Sequence, residues 1–129
     1  MPDKREETLT VEIVDALASL PREIRDGVLI TTAEPVPGVG HKILWANSAV
    51  TRDTGYTPEE IIGKSPRMFH APDICQETVS RIKRNLAAWR PNRAVVKNRR
   101  KDGTACWIDL SLFPIADESG WYHYWIGVQ

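Results

Sequence analysis

Arg67, Lys83 and Arg84 are the side chains of this chain best suited by type to hold an anion. Guanidinium and ammonium groups grip phosphate or carboxylate; the other reading is a solvated basic helix face. Asn98 and Gln129 carry amides that can line a ligand pocket or be satisfied by backbone and water. Bond-making chemistry has no comparable support. Cys75 and Cys106 lack C-x-x-C spacing, and the scattered His70 and His123 lack H-x-x-H spacing, so no zinc set is expected. No carboxylate pair is placed for acid–base work, and there is no nucleophile–base pair or phosphate-cradling glycine loop. The expectation is a binding module, with no catalytic residue and no metal.

Periodicity gives the elements that would position these residues. Leu9, Ile13, Ala16, Leu17 and Leu20 fall on one stripe of a helix that Pro21 stops. Gly27 to Thr32 and His41 to Ala46 read as strands joined by the Pro/Gly-rich residues 33–40. Asn47 caps a helical turn ended by Gly55, and Thr57-Pro58-Glu59-Glu60 is a capping-box start closed by Gly63. Another turn follows Ser65-Pro66. The longest central helix is expected from Pro72 or Asp73 to Ala88, with Ile74, Val79, Ile82, Leu86 and Trp89 on its apolar side. Three strands follow: Arg93 to Arg100, Thr104 to Ile115 and Trp121 to Gln129, with turns at Asp102-Gly103 and at 117–120. In the second of these, Cys106, Ile108, Leu110 and Leu112 alternate with Trp107, Asp109, Ser111 and Phe113. Strands grouped this way predict an α+β fold: an antiparallel sheet with helices on one face.

Composition sets bounds. The 129 residues make one domain, burying roughly two thirds of the unfolded surface. Lys+Arg and Asp+Glu are both 17, which argues against direct contact with nucleic acid. No apolar run spans a membrane and residues 1–10 lack a signal-peptide core, so a cytoplasmic location is expected.

Several segments together resemble a PAS domain. They are Ile43-Leu44-Trp45-Ala46-Asn47, Thr54 to Lys64 (TGYTPEEIIGK), Arg99 to Thr104 (RRKDGT), Pro114-Ile115 and Ile126 to Gln129 (IGVQ). The resemblance covers residues 22–129, leaving residues 1–21 as a flanking helix. It implies a five-stranded antiparallel sheet with short helices on one face and the N-terminal helix over the other. Within that family the chain looks most like the flavin-binding LOV branch. Gly63 to His70 (GKSPRMFH) sits where that branch carries G-x-N-C-R-F-L-Q, and Asn98 to Gly103 looks like N-Y-R-K-D-G. Cys106-Trp107-Ile108 falls on F-W-N. The departures matter. Pro66 replaces the adduct-forming cysteine, Ser65 and Ile108 replace two asparagines, and His70 replaces a glutamine. Arg67, Asn98 and Gln129 are kept, with Lys83 where a second phosphate-binding cation is often found. The resemblance therefore raises FMN or FAD as a cofactor without fixing it, since each unmet hydrogen bond at the ring edge costs about 1–3 kcal/mol. Asn98, Gln129, Arg67, Lys83, Ile108 and His70 form the candidate pocket.

The resemblance implies a sensory and dimerisation module fused to an output domain: a histidine kinase, a cyclic-di-GMP enzyme or a transcriptional regulator. The alternative is a cysteine-less flavin sensor of redox state or light. Relatives continue past Gly127-Val128-Gln129 into a signalling helix, so this chain is expected to be part of a longer protein. Trp107, Phe113, Tyr122, Tyr124 and Ile126 should form an apolar outer sheet face too large to leave wet. With Leu9, Ile13 and Leu17 of the first helix, that face is the expected homodimer interface.

Overall fold

The computed structural model describes residues 26–129. The expected helix carrying Leu9, Ile13 and Leu17, and the boundary at residue 21, lie outside the described residues. The strands are β1 (Val28–Thr32), β2 (Ile43–Ala46), β3 (Asn92–Arg99), β4 (Ala105–Ala116) and β5 (Tyr122–Val128), paired antiparallel in the order β2-β1-β5-β4-β3. Between β2 and β3 run α1 (Ser48–Thr54), α2 (Pro58–Ile61), a 3-10 turn (Pro66–Phe69) and α3 (Gln76–Ala87).

The expected caps form. Asn47 Oδ1 accepts from the backbone N–H groups of Val50 (3.2 Å) and Val28 (3.0 Å), fastening the start of α1 to β1. Gly55 ends α1 at φ 81°, a left-handed conformation that needs no Cβ. Thr57 and Glu60 close a capping box around Pro58 in α2. The start of α3 is later than the sequence pattern predicts. The Ala71 N–H donates to the Lys97 carbonyl and the Ile74 N–H to the Ala71 carbonyl. Those bonds hold residues 71–74 against the edge of β3, so the helix begins only beyond Cys75.

The pleat gives the sheet two faces. Toward the helices point Leu29, Thr31, Val96, Asn98, Leu110, Leu112, Trp125 and Gly127, following the register of the strand pairs. One core cluster there holds Leu29, Ile43, Val50, Ile61 and Phe69; a second holds Ile74, Ala94 and Val96. Away from the helices point Val95, Trp107, Phe113 and Ile126.

Two outer-face expectations need correction. Tyr122 does not join that face. A register shift at Ile115/Ala116 sets Ile115 opposite Tyr124 but Ala116 opposite Tyr122, leaving His123 as an extra residue in β5. Such a bulge breaks the alternation, and the Tyr122 ring stacks on Trp89 at 4.7 Å instead. Trp89 also lies parallel to Trp125, which lines the helix side. Tyr124 keeps its register beside Thr32 and Ile115 but is fully buried, so it is no exposed contact residue.

Candidate functional site

Helix α3 lays its apolar stripe over the sheet, packing Val79 and Ile82 against the Ile74, Ala94 and Val96 cluster and leaving space beside it. Val79, Ile82 and Leu86 face Val96, Leu110, Leu112 and Trp125 across a cavity of about 140 Å³. Thr31, Pro66 and His70 also line it, and they lead into an adjoining cavity of about 70 Å³ where Asn98, Gly127 and Gln129 are found. The walls are mostly apolar because α3 contributes Val79, Ile82 and Leu86, its i, i+3, i+7 positions, with Lys83 beside them.

Three groups break that apolar character. Asn98 is buried and its Oδ1 has no hydrogen-bond partner among the described residues. The buried Trp125 indole N–H also lacks one. Unpaired buried polar groups are rare and call for an explanation. His70 is half-buried and forms a bridge with Asn98. Burial, and then the nearby charges of Arg67 and Lys83, push its pKa below the ordinary 6.5, so the imidazole is neutral at pH 7.

Arg67 and Lys83 stand at the mouth, bordering both the inner cavity and an outer recess of about 450 Å³ that Glu34, Gly40 and Trp89 also line. Both are exposed. Neither forms an ion pair with a described carboxylate, although Asp53, Asp73, Asp109, Asp117 and Glu60 are each paired elsewhere. His41 joins them, its Nδ1 3.1 Å from the Thr32 carbonyl oxygen, which fixes that nitrogen as the donor.

The candidate residues therefore divide. Arg67, Lys83 and His70 border the main cavity, and Asn98 and Gln129 the smaller one. Gln129 is held by two backbone hydrogen bonds with Gly27 (2.8 and 2.9 Å). Ile108 packs beside Ile74, Ala94 and Val96 and lines an open groove with Trp107 and Arg99 that adjoins the smaller cavity at Phe69, Asn98 and Gln129. Sequence reasoning missed Thr31 and His41, which only the β1–β2 pairing brings to the site. It also missed the position of Trp89. That residue follows the Ala88 cap of α3 at φ 55°, a left-handed conformation uncommon for a residue with a Cβ and invisible in sequence.

A flavin ring system does not fit the inner cavity as it stands. A cavity of about 150 Å³ accepts one benzene-sized ring, whereas an isoalloxazine has three fused rings. Pro66 lines both cavities and brings no hydrogen-bond donor, and Ile108 offers the ring edge nothing. The kept polar groups are split, with Asn98 and Gln129 in the smaller cavity and Arg67 and Lys83 at the mouth of the larger. Among the described residues no group of three His, Cys, Asp or Glu side chains could hold a metal, and no helix is long and apolar enough to cross a membrane.

A family model described as a PAS domain matches residues 26–129. The chain is 31% identical over 103 residues to a blue-light photoreceptor of Listeria innocua, covering 80% of this chain and 39% of that protein. It is 33% identical over 87 residues to a blue-light-activated histidine kinase of Erythrobacter litoralis, covering 67% of this chain and 24% of the kinase. A bacterioopsin transcriptional activator of Halobacterium salinarum matches at 28% identity over 67% of this chain and 13% of its own length. The chain thus spans well under half the length of these curated relatives. Among solved structures, a light-oxygen-voltage domain studied with a flavin analogue superposes with a TM-score of 0.77 at 24% identity, covering 94% of this chain and 84% of that one. An RNA-binding light-oxygen-voltage receptor gives 0.78 at 24% identity, covering 92% and 32%. At that identity the superpositions speak for the fold alone.

Proposed function

The chain belongs to the PAS domain family, and we propose that it is a sensory and dimerisation module that takes a small molecule between sheet and helices and signals through the sheet's outer face. One observation carries this reading: an apolar cavity bordered by the unpaired Trp125 Nε1 and joined to a smaller one bordered by the unpaired Asn98 Oδ1, on a sheet whose other face exposes large apolar side chains. On that face Trp107 is 69% exposed, Val95 57% and Phe113 39%. Phe113 and Ile126 are direct cross-strand neighbours there. Exposed large apolar side chains on one face mark an interface, and a second copy of the chain is the occupant proposed for it, the Arg93–Asp109 ion pair lying on the same face between Trp107 and Phe113. The same strands line the cavity and carry the patch, so a ligand that shifts β4 or β5 acts on both. The fused output domain belongs to this proposal too, a histidine kinase like that of the Erythrobacter relative being the leading choice.

The test couples the two faces. Val79→Phe fills the cavity. It is expected to change the dimer dissociation constant, measured by sedimentation, by several-fold. A filled cavity with unchanged self-association would contradict signalling through the sheet.

The second reading, a cysteine-less flavin sensor, draws support from Arg67, Lys83, Asn98 and Gln129 bordering connected space. The size of that space and the apolar Ile108 oppose it. Absorption of protein purified from flavin-supplemented cells separates the two readings.

A further inference from the structure

The walls and the mouth of the cavity have opposite chemistry, and the contrast narrows the ligand. The body of the ligand meets Val79, Ile82, Leu86, Leu112 and the Trp125 ring. About 140 Å³ holds one six-membered aromatic ring. At the mouth stand two cations with no carboxylate partner among the described residues, Arg67 and Lys83. Both border the inner cavity and the outer recess, so an acid group attached to the ring directly or through one carbon lies between them. Glu34 borders that recess without pairing with either cation, and its charge disfavours a dianion over a monoanion. Inside, Trp125 is 1% exposed with its N–H unpaired, and in the adjoining smaller cavity Asn98 is 7% exposed with its Oδ1 unpaired. A polar ring substituent would meet these groups.

We propose that the cavity binds a monocyclic aromatic carboxylate, its ring between α3 and the sheet and its carboxylate between Arg67 and Lys83. The proposal rests on the reading of the cavity as a ligand site and adds the ligand's class. The guanidinium of Arg67 donates two parallel hydrogen bonds to a carboxylate, while Lys83 adds a mobile point charge. The neutral imidazole of His70 sits beside the ring without repelling an apolar body.

Calorimetric titration of the full chain with phenylacetate, its neutral analogue phenylacetamide, and acetate tests this. Phenylacetate is expected to bind saturably, one per chain, and acetate not at all. Phenylacetamide should bind about tenfold more weakly. Arg67→Gln and Lys83→Gln should each weaken phenylacetate about five- to tenfold and leave phenylacetamide unchanged. Both residues are exposed, so the folded state survives these changes. Val79→Phe should abolish binding of both aromatic compounds.

Equal binding of phenylacetate and phenylacetamide would overturn the carboxylate while leaving the cavity as a ligand site. Binding of phenylacetate that survives Val79→Phe would overturn the cavity as its location, since an anion on the surface cations needs no cavity. Binding of none of the three compounds would overturn the ligand class. If Val79→Phe also left self-association unchanged, the sensory reading would fail with it.

Discussion

His70 shows how position decides what a titratable group can do. Its imidazole lies beside Arg67 and Lys83 and is half-buried, and burial dominates the downward shift of its pKa. Lys83→Gln should move its NMR titration midpoint up toward 6.5, since one of the two repelling charges is gone. A midpoint unmoved by Lys83→Gln would mean that the cation does not reach the ring. The unfolded chain takes up this proton before the folded chain does. The stabilising contribution is therefore complete above pH 6.5 and is lost as pH falls below it. His41 also borders the cavity, so residue-resolved shifts are needed.

Glu60 tests the same logic on the acid side. Its pKa is pushed down to about 2, first by the hydrogen bond from Lys101 Nζ (2.8 Å) and then by the Thr57 backbone N–H. Lys101→Met should return the titration midpoint part of the way toward 4.5, read by carbon-detected NMR. The pair's contribution is present above pH 4.5 and lost as pH falls toward 2. At this scale the sequence revealed residue types but not partners. The capping box was legible because Thr57 and Glu60 are three residues apart. Lys101 was not, because it arrives from a distant hairpin.

Among the elements, α1 and β5 carry the clearest contrasts between pattern and fold. The caps of α1 and α2 were readable because a cap is local chemistry. Asn47 does more than its local pattern shows: its amide also accepts from Val28 and donates to the Asp26 carbonyl across the β1 junction. Asn47→Ala should therefore cost about 1–2 kcal/mol in urea denaturation, at the upper end for a helix cap. A loss within a few tenths would show that only a frayed helix end had been capped.

Tyr122 was misassigned to the outer face because a bulge has no sequence signature, and one extra residue in a strand reverses the alternation beyond it. Its partner Trp89 is held at φ 55°, a cost of about 1–2 kcal/mol for a residue with a Cβ. Stacking on Tyr122 and Trp125 offsets that cost. Trp89→Ala loses the stacks and keeps the strain, so a loss of about 2–3 kcal/mol is expected. Trp89→Gly loses the stacks but relieves the strain, and should be about 1 kcal/mol less harmful than Ala. The reverse order would contradict the left-handed backbone at this position.

The whole molecule places a small apolar cavity and a set of exposed apolar side chains on opposite faces of one sheet. The fold was legible in the sequence because strand alternation, turns and caps all agreed. The candidate pocket was legible in its residue types but not in its volume. Volume depends on how far α3 stands from the sheet and on where Trp125 puts its ring, and neither has a local pattern. Trp107 extends the outer patch, with Lys97 Nζ 6.0 Å from its ring. Trp107→Glu should weaken the proposed dimer at least tenfold by sedimentation, since it sets like charges across a two-fold interface at about 1.4 kcal/mol per factor of ten. An unchanged sedimentation profile would place any self-association elsewhere.

The absorption spectrum of the chain purified from flavin-supplemented cells tests the central claim most directly. A domain whose cavity takes one small ring should absorb in the ultraviolet as its five Trp residues require, with no visible band. The three-peaked visible band of a bound flavin, at one flavin per chain, would contradict this account. It would make Asn98, Gln129, Arg67 and Lys83 cofactor contacts in a cavity that opens around the ring.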